Sequence, residues 1–132
     1  MDLRLSAGLG ARCRLQWALV LALLVSCVRV PSSLDGFVEV GEASFYGAHL
    51  GGRSTASGAK LDLGAFTCAH RTLPFGTKVR VTDLDTGRST NVVVNDRGPF
   101  VRGRIIDLTP AAAQELGFLK RGLARVRIER LR

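Results

Sequence analysis

Two short stretches carry the residues whose types and spacing suit acid–base chemistry: Asn95-Asp96-Arg97 ahead of Gly98-Pro99-Phe100, and Asp107 within Arg104-Ile105-Ile106-Asp107-Leu108. A carboxyl at the rim of a buried strand can give a proton to a leaving oxygen or accept one, provided its direction is fixed. Pro99 locks its own φ and cannot donate to a ladder, so the turn after Asp96 is stiff and aims Asp96 and Arg97. A plainer alternative stands beside this one, in which Asp96 and Arg97 pair with each other and cap a loop. Asp107 is expected to be architectural, paired with Arg97 or Arg104.

The elements that must position these residues read as short strands. Val92-Val93-Val94 is a β-branched run that suits a strand covered on both faces. Lys78 to Asp83 alternates, Leu84-Asp85-Thr86-Gly87 supplies a turn, and Ser89 to Val94 returns, which predicts a hairpin. Phe37-Val38-Glu39-Val40 and Glu42 to Tyr46 read as strand segments interrupted by Gly41, and Arg125 to Arg130 as a closing strand. Thr109-Pro110 is an N-cap followed by a first-turn proline, Ala111 to Leu116 favours helix, and Gly117 suits the left-handed C′ position. Gly47 to Gly64, rich in Gly, Ser and Thr without periodicity, is a long loop, and long loops in compact domains tend to be functional. Short strands with one small helix point to a closed or nearly closed barrel, which removes exposed edges.

The chain has 132 residues, which allows one domain, and its first 27 read as an export signal. Arg4, Arg12 and Arg14 precede the apolar run Trp17 to Val25, which is well short of the ~20 residues of a spanning helix. The run closes on Leu24-Val25-Ser26-Cys27, similar to the bacterial lipoprotein signal-peptidase site, so Cys27 is the expected lipidated residue and cleavage by the ordinary peptidase the alternative. Residues 28–36 read as a tether and 37–132 as the domain, anchored at the periplasmic or extracytoplasmic face of the envelope. With Cys13 lost and Cys27 lipidated, Cys68 is alone and no disulfide framework remains. His49 and His70 lack metal-ligand spacing, so no metal is expected. Past Cys27 sixteen Lys and Arg face ten Asp and Glu, a balance of +6. The basic residues are scattered and the only Trp lies in the signal, which argues against nucleic acid and for an anionic envelope polymer or lipid headgroups.

Five stretches in order resemble the rare lipoprotein A family: Gly41-Glu42-Ala43-Ser44-Phe45-Tyr46-Gly47, Arg53-Ser54-Thr55-Ala56-Ser57-Gly58, Ala69-His70-Arg71-Thr72-Leu73-Pro74-Phe75-Gly76-Thr77, Val94-Asn95-Asp96-Arg97-Gly98-Pro99-Phe100 and Arg104-Ile105-Ile106-Asp107-Leu108. The resemblance implies an all-β fold, a six-stranded double-psi β-barrel with one or two short helices. It also implies a monomeric lytic transglycosylase without a cofactor, cutting MurNAc-GlcNAc strands of peptidoglycan, preferably strands stripped of stem peptides, to 1,6-anhydro products. The family's acidic and imidazole positions fall on Asp62, His70 and Asp96, while its first, a Glu directly after Thr-Ala-Ser-Gly, falls on Ala59. Alanine cannot move a proton, which opens a second reading, a non-catalytic expansin-like module that binds peptidoglycan. The chain stops after Arg132, so no C-terminal glycan-binding module is expected.

In such a reaction the muramyl C6 hydroxyl closes onto C1, so one carboxyl can act first as acid and then as base. Asp96 is the expected donor, with His70 and Asp62 orienting the sugar or tuning Asp96; a satisfied imidazole in a turn and a loop cap are their structural alternatives. Tyr46, Arg53, Thr55, Ser57, Asn95 and Arg97 are the candidate glycan contacts. Thr55 and Ser57 suit the loop backbone equally well, and alternation sends only one of Phe45 and Tyr46 outward.

Overall fold

The computed structural model describes residues 36–132. The expected export signal, Cys27 and the tether up to residue 35 lie outside the described residues. Six strands are present: β1 (Val38–Phe45), β2 (Thr67–Ala69), β3 (Lys78–Asp83), β4 (Ser89–Asp96), β5 (Arg104–Leu108) and β6 (Ala124–Arg130). They close in the order β1-β5-β2-β4-β3-β6, with β6 pairing back onto β1. Two pairs are parallel, β1 with β5 and β2 with β4, and the other four are antiparallel. This is the six-stranded double-psi barrel that the sequence motifs imply. Closure leaves each strand paired on both sides and no edge to template aggregation.

Alternation fills the barrel. Val79 and Val81 on β3, Val92 and Val94 on β4, and Val126 and Ile128 on β6 are buried. Each contributes roughly 1.5–3 kcal/mol of apolar burial relative to exposure. Val93, between two inward valines, is only partly covered, so β4 alternates instead of being sheathed on both faces. The helix α1 (Pro110–Leu116) sends Ala112, Ala113 and Leu116 into the same core, and Phe118 just beyond it meets Phe45 edge to face at 5.7 Å. Gly117 takes the left-handed conformation at φ 81°, and its N–H satisfies Ala113 and Gln114 carbonyls. Thr109 sits at the N-cap but does not cap with its side chain; its hydroxyl donates to the Ala65 carbonyl and ties the helix start to the chain before β2. A short 3₁₀ turn at Ala48–Leu50 opens the long loop.

Two further local features differ from the sequence reading. β2 is three residues long, too short to show a periodicity in the sequence. Gly41 does not interrupt β1, which runs through it; the irregularity in the β1–β5 register falls one residue later, between Glu42 and Ala43. Gly41 is there for close approach, since a Cβ at that position would stand 2.6 Å from Ile105 Cγ2 and 3.3 Å from the Gly103 carbonyl oxygen. Ile105 is buried and β-branched, so it has little room to yield. Gly41→Ala is therefore expected to cost about 1–3 kcal/mol by overpacking. A thermal melt should then shift down by roughly 4–8 °C for each kcal/mol lost, and an unchanged melting temperature would show that β1 and β5 can part without penalty.

Candidate active site

Asp96 is the last residue of β4, and three parts of the chain donate to its carboxylate. Tyr46, immediately after β1, gives its phenolic O–H to Oδ2 at 2.8 Å. The Ala56 N–H from the long loop reaches Oδ1 at 2.9 Å, and the Arg97 N–H reaches the same oxygen at 2.8 Å. All three contacts are donated to Asp96, so both its oxygens are fixed as acceptors in known directions. Tyr46 shows the consequence: burial, the hydrogen bond to Asp96 and the charges of Asp96 and Asp107 all push its pKa up, so the phenol keeps its proton.

The loop that supplies Ala56 is itself stitched. Ser54 bridges Lys60, the Leu61 N–H meets the Arg53 carbonyl at 2.7 Å, and the Thr55 hydroxyl donates to the Ala59 carbonyl at 2.6 Å. Thr55 Oγ1 also lies 2.9 Å from Ser57 Oγ, so both hydroxyls serve the loop, and the Ser57 N–H pins it to the Asn95 carbonyl at 3.2 Å. Between loop and strand end lies a recess of about 110 Å³, lined by Tyr46, Arg53, Ser54, Thr55, Leu61 and Asp96. Arg53 is exposed and available to a ligand there. Asn95 is partly covered, and its Oδ1 is buried without a hydrogen-bond partner.

The structure does not gather every candidate around this recess. Arg97 turns away from Asp96: its Nη1 donates to the His70 and Leu73 carbonyls at 3.3 and 2.8 Å, and its guanidinium lies 4.0 Å over the Phe75 ring. The alternative reading, in which the Asp96 and Arg97 side chains pair with each other, is not realised. His70 is 2% exposed, and its Nδ1 accepts from the Thr72 and Leu73 N–H groups, each at 3.1 Å. That leaves the ring proton on Nε2, which faces Glu39 Oε2 at 3.1 Å. Both nitrogens are thus engaged inside the protein, while the His70 backbone N–H holds the Asp96 carbonyl at 3.2 Å. Asp62 is exposed and accepts from the Gly64 N–H at 2.9 Å, closing a local turn outside the recess lining.

Asp107 departs most from the sequence reading. No ion pair holds it to Arg97 or Arg104; Ser44, 8% exposed, donates its hydroxyl to Oδ1 instead. Burial raises the Asp107 pKa, Ser44 and Arg104 oppose the rise, and the Asp96 charge adds to it. Burial, and to a lesser degree the charge of Asp107, push the Cys68 thiol pKa up. The available signal was the period of two: Ser44 on β1 and Tyr46 just past its end are two residues apart, one reaching Asp107 and the other Asp96.

The fold and the acidic strand ends define a double-psi barrel with a carboxylate cleft beneath a clamped loop. Residues 38–128 match the family described as lytic transglycolase, and the chain belongs to that family. It is 52% identical over 95 residues to the endolytic peptidoglycan transglycosylase RlpA of Neisseria meningitidis, covering 72% of this chain and 40% of that protein. It is 53% identical over 90 residues to the protein of the same name from Pseudomonas aeruginosa, covering 68% and 26%. The chain thus spans well under half the length of these relatives. The solved expansin of Clavibacter michiganensis shares the fold at a TM-score of 0.58 and 22% identity, over 73% of this chain and 51% of that one.

The environment of Asp107 sets a pH dependence. Its folded-state pKa lies above the unfolded value, so between the two the native protein holds a proton that the unfolded chain has released, and stability falls as pH rises through that window. Asp107→Asn removes the titration. In urea melts from about pH 4 upward, the variant should gain stability relative to wild type as pH rises; a difference constant with pH would show that the buried carboxyl does not titrate differently on folding.

Proposed function

We propose that this chain is an exported peptidoglycan lytic transglycosylase that cuts MurNAc-GlcNAc strands, preferentially those without stem peptides, and leaves 1,6-anhydromuramyl ends. The observation that carries the reading is the Asp96 carboxylate, fixed by three donors at the mouth of a recess in a barrel of the lytic transglycolase family. Asp96 is the catalytic carboxyl, exchanging a proton with the muramyl ring. Tyr46 holds it, Arg53 and Asn95 meet sugar hydroxyl and acetamido groups, and Thr55 and Ser57 keep the loop in place. His70, Arg97 and Asp62 act as positioning residues, through the backbone of Asp96 in the first two cases and through the loop base in the third.

Full-length protein incubated with denuded glycan strands should release fragments whose muramyl ends are anhydro by mass spectrometry; reducing ends would mean that water attacks and the protein is a hydrolase. Asp96→Asn keeps size and most hydrogen bonding and is expected to lower cleavage by ~10²–10⁴-fold with melting temperature held. Binding of sacculi without any release by wild type would favour a non-catalytic module, the reading that Ala59 supports, and Ala59→Glu should then create cleavage.

The lipobox-like Leu24-Val25-Ser26-Cys27 supports attachment through Cys27 with the barrel on the extracytoplasmic side. Cys27→Ser should abolish labelling by fatty acid and release the protein from membranes; labelling equal to wild type would place the anchor elsewhere.

A further inference from the structure

The barrel has a second surface, which the cleft does not use. On β3 and β6 the inward set is Val79, Val81, Val126 and Ile128, so the alternating Lys78, Arg80, Arg125 and Arg127 point outward, and all four are exposed among the described residues. Residues paired across strands share a face, and the register sets this one in rows. Arg80 stands beside Glu129 and then Val38, Thr82 beside Arg127 and then Val40, and Arg125 beside Glu42. Of the four cations only Arg127 has a carboxylate partner among the described residues, Glu129 on its own strand. Val38 and Val40 are each 47% exposed, and Leu84, whose N–H bonds the Arg125 carbonyl, is 45% exposed.

A single exposed aliphatic residue is ordinary, but three set among cations on one face have the composition of a bilayer interface, where guanidiniums meet phosphates and aliphatic groups reach the acyl boundary. At the edge of the face lies a recess of about 400 Å³ lined by Gly41, Glu42, Arg102, Gly103 and Arg125, which offers two guanidiniums to a phosphate. We propose, resting on the Cys27 anchor above, that the outer face of β3, β6 and β1 docks on the anionic phospholipid surface of the membrane that holds the anchor. Residues 28–37 separate Cys27 from Val38, a reach of at most ~36 Å for ten residues, and Val38, where β1 begins, is itself part of the face. Anionic headgroups complement the unpaired arginines, and the valines favour lipid over a soluble polyanion, which offers them nothing apolar. In the ring of strands β3 and β6 stand opposite β5 and β2, and no residue lining the recess beside Asp96 comes from β3 or β6. Docking by this face therefore leaves the Asp96 recess open to glycan.

The test uses the full chain as the cell processes it, reconstituted in nanodiscs of phosphatidylcholine with or without phosphatidylglycerol and carrying a nitroxide-labelled headgroup. In methyl NMR the label should broaden the Val38, Val40 and Leu84 signals far more in the anionic discs than in the neutral ones and leave Leu61, beside the Asp96 recess, sharp; high salt should reverse the broadening. Arg80→Gln combined with Arg125→Gln should lower the docked population by roughly fivefold per arginine, while cleavage of soluble denuded strands keeps its wild-type rate. Equal broadening in both discs, broadening of Leu61 instead of the valines, or an undiminished docked population in that variant would each overturn the docking face. Val38→Ser combined with Val40→Ser should also weaken docking; if it docks like wild type, charge alone is at work and a bilayer occupant is overturned in favour of a soluble polyanion. Protein without fatty acid on Cys27 would overturn the anchor and not the face, which sedimentation with vesicles of the same two lipid compositions then reads: retention by the phosphatidylglycerol vesicles alone supports docking, and equal or no retention overturns it.

Discussion

The site depends on one carboxylate that three separate segments agree on. Tyr46 follows β1, Ala56 tips the long loop and Arg97 opens the turn after β4, and all three donate to Asp96. A buried or half-buried acceptor left unpaired costs free energy, so each donor that is met holds its segment where it can meet the others. The loop gains most from this. Its residues from Arg53 to Lys60 are largely exposed and bury little beyond Thr55, so apolar packing does not fix it; backbone bonds to Asp96 and Asn95 do.

Much of the barrel was legible in the sequence because its cause is local. The β3–β4 hairpin follows from alternation plus a turn in which Asp83 Oδ1 accepts from the Asp85 and Thr86 N–H groups. The helix follows from proline at its start and glycine after its end. β2 was illegible, since Thr67-Cys68-Ala69 is a strand only by virtue of β4 and β5 on either side. Gly41 misled because a glycine that permits close approach and one that breaks a strand look alike until Ile105 is seen against it.

For the site, Asp96 at a strand end could be read from Val-Asn-Asp-Arg-Gly-Pro, but partners far along the chain could not. Arg97 illustrates the difference: beside Asp96 in sequence, its guanidinium serves the His70 and Leu73 carbonyls and the Phe75 ring. That contact and the two N–H groups on His70 Nδ1 lock the turn after β2, and the His70 backbone N–H in turn fixes the Asp96 carbonyl. Histidine and arginine thus act on the cleft through the backbone, a function that motif reading assigns to their side chains.

The convergence of two acids is a product of topology. β4 runs parallel to β2 and β5 antiparallel to it, so the carboxyl ends of β4 and β5 point in opposite directions, and in a sheet of full-length strands they would lie at opposite rims. Here β2 is only three residues long, and the carboxyl-terminal halves of both neighbours overlap it at the same residue, Ala69. Two spacings of ~4.8 Å then separate the strands that carry Asp96 and Asp107. The parallel β1–β5 pair brings Ser44 opposite Asp107, and two residues on, just past the end of β1, Tyr46 reaches Asp96.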